Sequence, residues 1–263
     1  IWIPSSRHIR PQISDQVSIG YFRNFFENKL ETSVELYYKD LRNQIDFKNG
    51  AELILNPTIE TEILTGDGES YGSEFLVRKK TGKLTGWISY TLSKTTRQID
   101  GINGGRAYAA NTDRRHDVAV ASTFQLTPRV NFGAQWVYQS GRAVTYPIGG
   151  YELECNFIPL YGDRNADRFP DYHRLDVSVT IDGKKREDET PEGEKKKRKL
   201  ESSWNISCYN AYGRRNVFAI DFREEMAEGS TDHPCDPSNQ TVRQAYKIYL
   251  FRWVPSVTWN FRF

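Results

Sequence analysis

The sequence contains no long hydrophobic run. None of its apolar stretches approaches the roughly 18 residues that a membrane-spanning helix requires. The 38% hydrophobic content and the mean hydropathy of −0.68 are those of an ordinary soluble protein. No membrane-spanning helix is therefore predicted in this sequence. These values do not exclude transmembrane β-strands, because such a strand presents apolar side chains to lipid only at every second position.

An excess of one charge and a cysteine framework are also missing. The 36 basic and 34 acidic residues give a formal charge of +2, so the chain lacks the basic excess of a nucleic-acid-binding protein and no nucleic-acid partner is predicted. Its three cysteines, Cys155, Cys208 and Cys235, are too few for a disulfide scaffold, and they lack the C-x-x-C spacing of a metal site.

Aromatic residues, by contrast, are abundant. The 15 Tyr, 14 Phe and 6 Trp make up 13% of the chain, and the rings of Tyr and Trp suit a membrane–water interface. Apolar and polar residues alternate through long segments, most clearly in Leu175–Asp182, where every second residue is apolar. This period of two predicts β-strands.

Strand and loop lengths together predict a transmembrane barrel rather than a soluble sandwich. The alternating segments are long enough to cross a bilayer when tilted, whereas soluble strands average about 5–6 residues. Short and long connections alternate, as periplasmic turns and extracellular loops do in outer-membrane barrels. The nine predicted strands are 14–25, 29–47, 70–79, 83–97, 115–127, 130–141, 171–182, 202–222 and 244–263.

The odd number of strands predicts a fragment. A bacterial single-chain barrel has an even strand number, and each unpaired backbone group in lipid costs several kcal/mol. We therefore expect residues 1–263 to be the C-terminal portion of a larger antiparallel barrel that other strands complete. We also expect a β-bulge at Pro255, because proline has no N–H to donate to the ladder.

Several segments resemble the C-terminal barrel of TonB-dependent receptors, in the branch with an N-terminal carboxypeptidase-regulatory-like domain. They are IRPQISDQVSIGY (9–21), YGSEFLVRKKTGKLTGWISYTLSKT (71–95), DRRHDV (113–118), DYHRLDVSV (171–179) and NAYGRRN (210–216), followed by the terminal Phe263. The resemblance implies a bacterial outer-membrane barrel of about 22 strands, of which this chain would supply the last nine. It also implies an N-terminal plug and contact with TonB through an N-terminal region, both absent here.

The function implied by this resemblance is TonB-dependent import of a scarce ligand. Two alternatives stay open. A receptor-like barrel can serve as a structural subunit of an outer-membrane assembly, with other outer-membrane or surface lipoprotein subunits as partners. The third hypothesis is a smaller, self-contained barrel acting as a porin or an enzyme.

One segment begins like a calcium loop, with Asp163, Asn165 and Asp167 as candidate ligands. Arg168 stands where an EF-hand requires glycine, and no bidentate Glu follows at the twelfth position. An Arg–carboxylate network at the barrel mouth is therefore the favoured interpretation. It would join Arg164, Arg168 and Arg174 to Asp163, Asp167, Asp171 and Asp176.

Two histidines invite a catalytic interpretation. His116 and His173 each lie beside Arg and Asp, but no G-x-S-x-G or H-E-x-x-H motif accompanies them. We therefore expect structural histidines, and we predict no enzyme, no catalytic residue and no cofactor.

The alternation assigns side chains to two faces of the wall. The residues predicted to face lipid are Ile88, Leu92, Val120, Phe124, Trp136, Val177, Val179, Trp259 and Phe261. Those predicted to face the lumen are Glu31, Glu35, Glu74, Asp176 and Asp182.

The connection 183–200 (GKKREDETPEGEKKKRKL) departs from the family's short periplasmic turns. It is interpreted as a solvated hairpin tip, with a docking segment for a periplasmic partner as the alternative.

The cysteines generate a prediction. Cys155 and Cys235 both fall in predicted extracellular loops, where the oxidising environment permits a disulfide; three separate thiols are the alternative. A bridge would close a loop of about 80 residues and contribute roughly 4 kcal/mol on the loop-entropy model. Labelling of intact cells with a thiol reagent, with and without prior reduction, should modify both residues only after reduction. Labelling of both without reduction would disprove the bridge.

Overall fold

The computed structural model describes residues 4–6, 8–153, 156–183, 188–189, 195–196, 201–226 and 241–262. Within these ranges the regular structure is antiparallel β-strand, apart from short 3-10 helices at Ile59–Glu62 and Asn103–Gly105. No helix in the same ranges is long and apolar enough to span a membrane. The strands are β1 (Ile13–Phe25), β2 (Leu30–Phe47), β3 (Ile63–Lys79), β4 (Leu84–Gln98), β5 (Tyr108–Ala109), β6 (His116–Thr127), β7 (Val130–Gln139), β8 (Ala143–Val144), β9 (Pro147–Leu153), β10 (Asn156–Tyr161), β11 (Asp167–Arg168), β12 (Tyr172–Asp182), β13 (Asp188–Glu189), β14 (Lys195–Lys196), β15 (Glu201–Tyr209), β16 (Val217–Met226), β17 (Thr241–Tyr249) and β18 (Val254–Arg262).

Nine of these strands form one continuous antiparallel sheet. Their order is β1-β2-β3-β4-β6-β7-β12-β15-β18, and β5 pairs with the end of β4. The nine-strand prediction is therefore confirmed. β1 and β18 stand at opposite ends of this path and do not pair with each other, so the described part of the chain forms an open wall rather than a closed cylinder.

Short and long connections lie at opposite ends of the sheet. The turns between β1 and β2, β3 and β4, and β6 and β7 are only a few residues long. Asn28 and Gly82 allow two of them to be tight, because both adopt the left-handed region, with φ of 65° and 96°. The long loops, 48–62, 99–115 and 140–171, gather at the other end, which we call the mouth.

Strand register separates the side chains into an apolar and a polar face. One row of paired positions runs Val77, Ile88, Val120 and Trp136, and a second runs Leu84, Phe124, Phe132, Val179, Ile206 and Val257. All nine residues predicted to contact lipid lie on this apolar face. The five predicted lumen carboxylates lie on the opposite, polar face. The predicted separation onto two faces is thus confirmed, and the assignment of the apolar face to lipid stays a prediction.

A β-bulge in β2 reverses this alternation near the mouth. Leu41 pairs with Gly68, but the next pair is Gln44 with Gly66, so Arg42 and Asn43 together oppose one residue of β3. Asn43 has a φ of 56°, a conformation that asparagine tolerates better than most residues. Beyond the bulge, the side chain of Asp46 therefore points to the polar face.

Three strand boundaries differ from prediction. β3 begins at Ile63 rather than 70, since glycines such as Gly66 and Gly68 mask its alternation. The predicted strands 202–222 and 244–263 are each two strands, β15 with β16 and β17 with β18. The first break occurs where Asn210 and Gly213 adopt left-handed conformations. Because β16 and β17 pair only with each other, they form a separate hairpin on the mouth side.

The expected bulge at Pro255 is wrong. Pro255 pairs with Cys208 in an uninterrupted register from Val254 to Arg262. The chain breaks its strand before the proline, at residues 250–253. Pro255 is the second residue of β18, so the hydrogen bond that its missing N–H cannot donate would lie at the end of the ladder.

The charged connection 183–200 lies largely outside the described residues. Its described part is Gly183 and one pair of two-residue strands, in which Asp188 pairs with Lys196 and Glu189 with Lys195. Both interpretations of this segment stay predictions.

The face assignment generates a stability prediction. Arg at position 177 would place a charge on the apolar face, so Val177→Arg should destabilise the full-length protein by about 2–4 kcal/mol if the site is near mid-membrane. Urea unfolding in phospholipid vesicles measures this. The matched control is Gln135→Arg, on the polar face opposite Asp176, which should change little. Equal losses for both variants would contradict the assignment.

Candidate functional site: the mouth of the barrel wall

The loops at the mouth are held together by arginine side chains from segment 163–168. Arg164 donates from Nη1 to Asp46 Oδ1 at 2.9 Å, and from Nη2 to the Phe47 carbonyl at 3.0 Å and Asn49 Oδ1 at 2.8 Å. Its backbone exchanges two further hydrogen bonds with the side chain of Asn103. Arg164 therefore ties the end of β2 to the loop between β4 and β6.

Arg168 forms the second tie. Its Nη2 donates to Asp113 Oδ2 at 2.6 Å and its Nη1 to the Asp113 carbonyl at 3.0 Å. The Asp113 side chain is only 1% exposed, and its Oδ1 accepts the backbone N–H of Thr95 at 2.6 Å. A buried carboxylate is costly unless it is paired and hydrogen-bonded, so Arg168 stabilises the loop that carries Asp113.

A small apolar core lies beneath these ties. Ile99, Ile102 and Tyr108 are buried together, with Leu64 of β3 packed against them. The Tyr108 hydroxyl donates to Asp46 Oδ2 at 2.9 Å. Burial, and then the hydrogen bond to Asp46, raise the pKa of Tyr108 well above its usual value, so the phenol stays protonated and keeps donating.

The polar face below the mouth carries a second cluster. Arg174 pairs with Asp176 at 2.9 Å and donates to the hydroxyls of Tyr172 and Tyr209 at 2.9 and 2.8 Å. Its guanidinium also lies 4.1 Å from the ring centroid of Tyr209. With these contacts, the Arg174 charge is neutralised and the side chain is fixed.

The segment NAYGRRN completes the wall where β15 ends. Asn210 is 1% exposed; its backbone N–H binds Asp176 Oδ1 at 2.9 Å, and its side-chain amide donates to the carbonyls of Arg214 and Arg252. The Asn216 side chain exchanges two hydrogen bonds with the backbone of His173. These amides take the place of ladder bonds at the top of β12.

The predicted Arg–carboxylate network is present, but most of its partners were predicted wrongly. Only Arg174 and Asp176 pair as expected. Asp163 instead pairs with Arg106, and Asp171 accepts from the Tyr138 hydroxyl and the Gly141 N–H. The sequence did not predict that Asp46, Tyr108 and Asp113 are partners in this network. Of the three, only Asp113 lies in a segment that the sequence singled out, as the first residue of DRRHDV.

The candidate calcium ligands are directed to separate partners. Asp163 binds Arg106 at 2.8 Å, the Asn165 amide donates to the Ala109 carbonyl at 2.8 Å, and Asp167 accepts from Tyr146 N at 3.4 Å. Within the described ranges, no three His, Cys, Asp or Glu side chains are grouped to hold a metal.

Both histidines bind tyrosine hydroxyls on the apolar face. His116 Nδ1 lies 2.9 Å from Tyr90 Oη, and His173 Nδ1 lies 2.7 Å from Tyr212 Oη. Each histidine thus contacts a tyrosine hydroxyl, as a structural residue would.

Cys208 is a free thiol in β15, paired in register with Val177 and Pro255. Cys155 and Cys235 lie outside the described residues, so their bridge stays a prediction.

Comparison with known proteins places this wall in a family. Residues 4–195 match the family described as TonB dependent receptor-like, beta-barrel. No curated protein sequence matches the chain. Among solved structures, the ferric-catecholate import receptor Fiu of E. coli K12 is 16% identical with a TM-score of 0.50, over 81% of this chain and 25% of Fiu. The ferripyoverdine receptor of Pseudomonas aeruginosa is 13% identical with a TM-score of 0.50, over 78% and 24%.

The fold is that of an outer-membrane receptor wall. The chain belongs to the TonB-dependent receptor β-barrel family, whose barrels lie in the bacterial outer membrane. It spans about a quarter of the length of the two solved receptors. At 16% and 13% sequence identity, the likeness to these two receptors shows that the fold is shared and nothing more.

The tie between Arg168 and Asp113 generates a prediction. Arg168→Met would leave a buried carboxylate without its cation, so the loop 99–113 should lose about 3 kcal/mol of local stability. Amide hydrogen exchange of that loop measures the change. The control is Arg106→Met, whose side chain is 70% exposed and whose partner Asp163 is 52% exposed; it should cost under about 1 kcal/mol. Unchanged exchange in Arg168→Met would refute the role given to this pair.

Proposed function

We propose that residues 1–263 are the C-terminal portion of a receptor that imports a scarce ligand across the outer membrane, driven by TonB. The main observation behind this proposal is the open nine-strand wall in a chain that belongs to the receptor family. One face of the wall is polar, and hydrogen bonds and ion pairs hold the loops at its mouth together. An open edge in lipid is costly, so the remaining strands of the same receptor complete the barrel.

The charges of the polar face favour a barrel whose lumen is filled by another part of the protein. Its carboxylates include Glu35 and Glu74, which stand directly opposite each other in neighbouring strands. Like charges in that arrangement are destabilising unless something neutralises them. An N-terminal plug that fills the barrel is the partner proposed for this face, and TonB would act through the same N-terminal region.

The receptor acts by binding and transport, without catalysis. The two solved receptors are named for ferric-catecholate import and for ferripyoverdine binding, which makes a scarce chelate one candidate cargo class for this chain. At 16% and 13% identity, ligand contacts do not transfer residue by residue.

Exposed apolar hairpins support the second candidate, a subunit of an outer-membrane assembly. Ile148 is 75% exposed on the β9–β10 hairpin and Phe218 is 62% exposed on the β16–β17 hairpin. Large exposed apolar side chains on the mouth side favour contact with another protein. A surface lipoprotein or another outer-membrane subunit fits this position, and such a complex is compatible with import.

Uptake by the source bacterium tests the proposal. Strains with and without the receptor gene are grown on one defined medium, and the loss of each compound from the medium is measured with TonB present or deleted. At least one compound should disappear only when both receptor and TonB are present. If depletion is the same without TonB, import of this kind is excluded.

The same strains discriminate the second candidate. The outer membrane of the strain that lacks the receptor should retain its other proteins if the barrel acts alone. Loss of a second surface protein, with no change in uptake, would identify a structural subunit instead.

A further inference from the structure

A small cavity opens at the mouth where β7 ends and β12 begins. Its volume is about 250 Å³, and Gln139 and Tyr172, both on the polar face, form part of its lining. Phe218, at the start of the β16–β17 hairpin, lies on another side. The ties made by Arg164 and Arg168 do not fill this space.

Backbone packing fixes the shape of this cavity. Gly141 lies so close to the chain at Phe169 that an added Cβ would come within 1.5 Å of the Phe169 carbonyl oxygen. The Phe169 N–H donates to the Arg142 carbonyl at 2.9 Å. Only glycine permits this approach, so the two segments that carry the cavity walls are held at a constant separation.

Two arginines of the cavity differ from the three that hold the mouth and the wall below it together. Arg164, Arg168 and Arg174 each pair with a carboxylate. In the part of the chain that the structure describes, Arg114 donates only to the neutral side-chain amide oxygen, Oε1, of Gln139. The guanidinium of Arg142 rests over the ring of Phe169, 5.3 Å from its centroid, and is paired with no described carboxylate.

The one acidic residue in the cavity lining already accepts two hydrogen bonds. Asp171 also lines the cavity, but its carboxylate accepts from the Tyr138 hydroxyl at 2.8 Å and the Gly141 N–H at 2.9 Å. Arg214 donates to the Asp171 carbonyl at 3.2 Å, and the Nε of Arg214 is buried with no acceptor among the described residues. Positive charge therefore exceeds negative charge around the cavity.

We propose that this cavity binds an anionic end group, a carboxylate or a phosphate, of the ligand that the receptor imports. A guanidinium group can donate two parallel hydrogen bonds to a pair of oxygens of a carboxylate or a phosphate. The rings of Phe169 and Tyr172 also line the cavity and can contact the part of the ligand next to its anionic group. The cavity is smaller than a typical ligand pocket of about 300–1,000 Å³, so one end of a larger ligand enters it. This proposal rests on the proposed import function.

Binding to the purified full-length receptor in lipid nanodiscs tests the proposal. The probes are glucuronate, inorganic phosphate and the neutral sugar glucose, titrated at low ionic strength and followed by ligand-observed NMR. We expect saturable binding of glucuronate or phosphate and none of glucose. Arg142→Gln and Arg114→Gln should each weaken anion binding at least about fivefold, since one charged hydrogen-bonding partner is lost.

The matched control is Arg106→Gln, because Arg106 lies at the same mouth, pairs with Asp163 and does not line the cavity. It should bind the anions as the wild type does. Heat-dependent migration in electrophoresis checks that each variant is folded. No saturable binding of either anion by the folded wild type overturns the proposal, as does an equal loss in Arg106→Gln.

This binding measurement requires neither TonB nor an energised membrane. A receptor that binds the anions but takes up nothing would refute the import function and leave the anion site standing. TonB-dependent uptake by a receptor that does not bind the anions would refute the anion site and leave the import function standing.

Discussion

Hydrocarbon offers no water to a backbone N–H or C=O group, so a strand inside a membrane needs a partner on both sides. That constraint explains the long, uninterrupted ladders of the nine-strand sheet and the few-residue turns at one end of it. It also explains why irregular structure gathers at the mouth, where water and side chains can satisfy the backbone. Three of the four bulges and both strand breaks lie toward that end or within its loops. The exceptions are the register shift of β6 and β7 beside their short turn and the short strands β13 and β14 in the connection 183–200.

The same constraint decides which features the sequence reveals. Inside the membrane, lipid on one side and a polar lumen on the other enforce a period of two, so strand number and facing were predictable from segments such as Leu175–Asp182. Near the mouth nothing enforces that period. The early start of β3 was missed because Gly66 and Gly68 have no side chains to show the alternation. The break at Asn210 and Gly213 was missed because it depends on left-handed backbone conformations.

The mouth network shows a second limit. The residue types were predictable, since arginines and aspartates crowd into 163–176. The partners were not, because Arg164 and Asp46 are 118 residues apart and Arg168 and Asp113 are 55 apart. The bulge at Arg42 and Asn43 adds one residue to β2 and so turns Asp46 to the polar face. Without it, Asp46 would point to the apolar face, away from Arg164 and Tyr108.

The arginines at the mouth have two different roles. Where an arginine joins loops, a carboxylate neutralises it, and in the case of Asp113 that carboxylate is almost fully buried. Such a pair resists rearrangement, because separating it leaves a buried charge. Where arginines line the cavity instead, Arg114 and Arg142 contact a neutral amide and an aromatic ring, both of which an incoming anion can supplement without breaking an ion pair. A preorganised frame whose cavity is lined by two arginines and one aspartate is suited to selecting a ligand by charge, since the two guanidinium groups outnumber the one carboxylate.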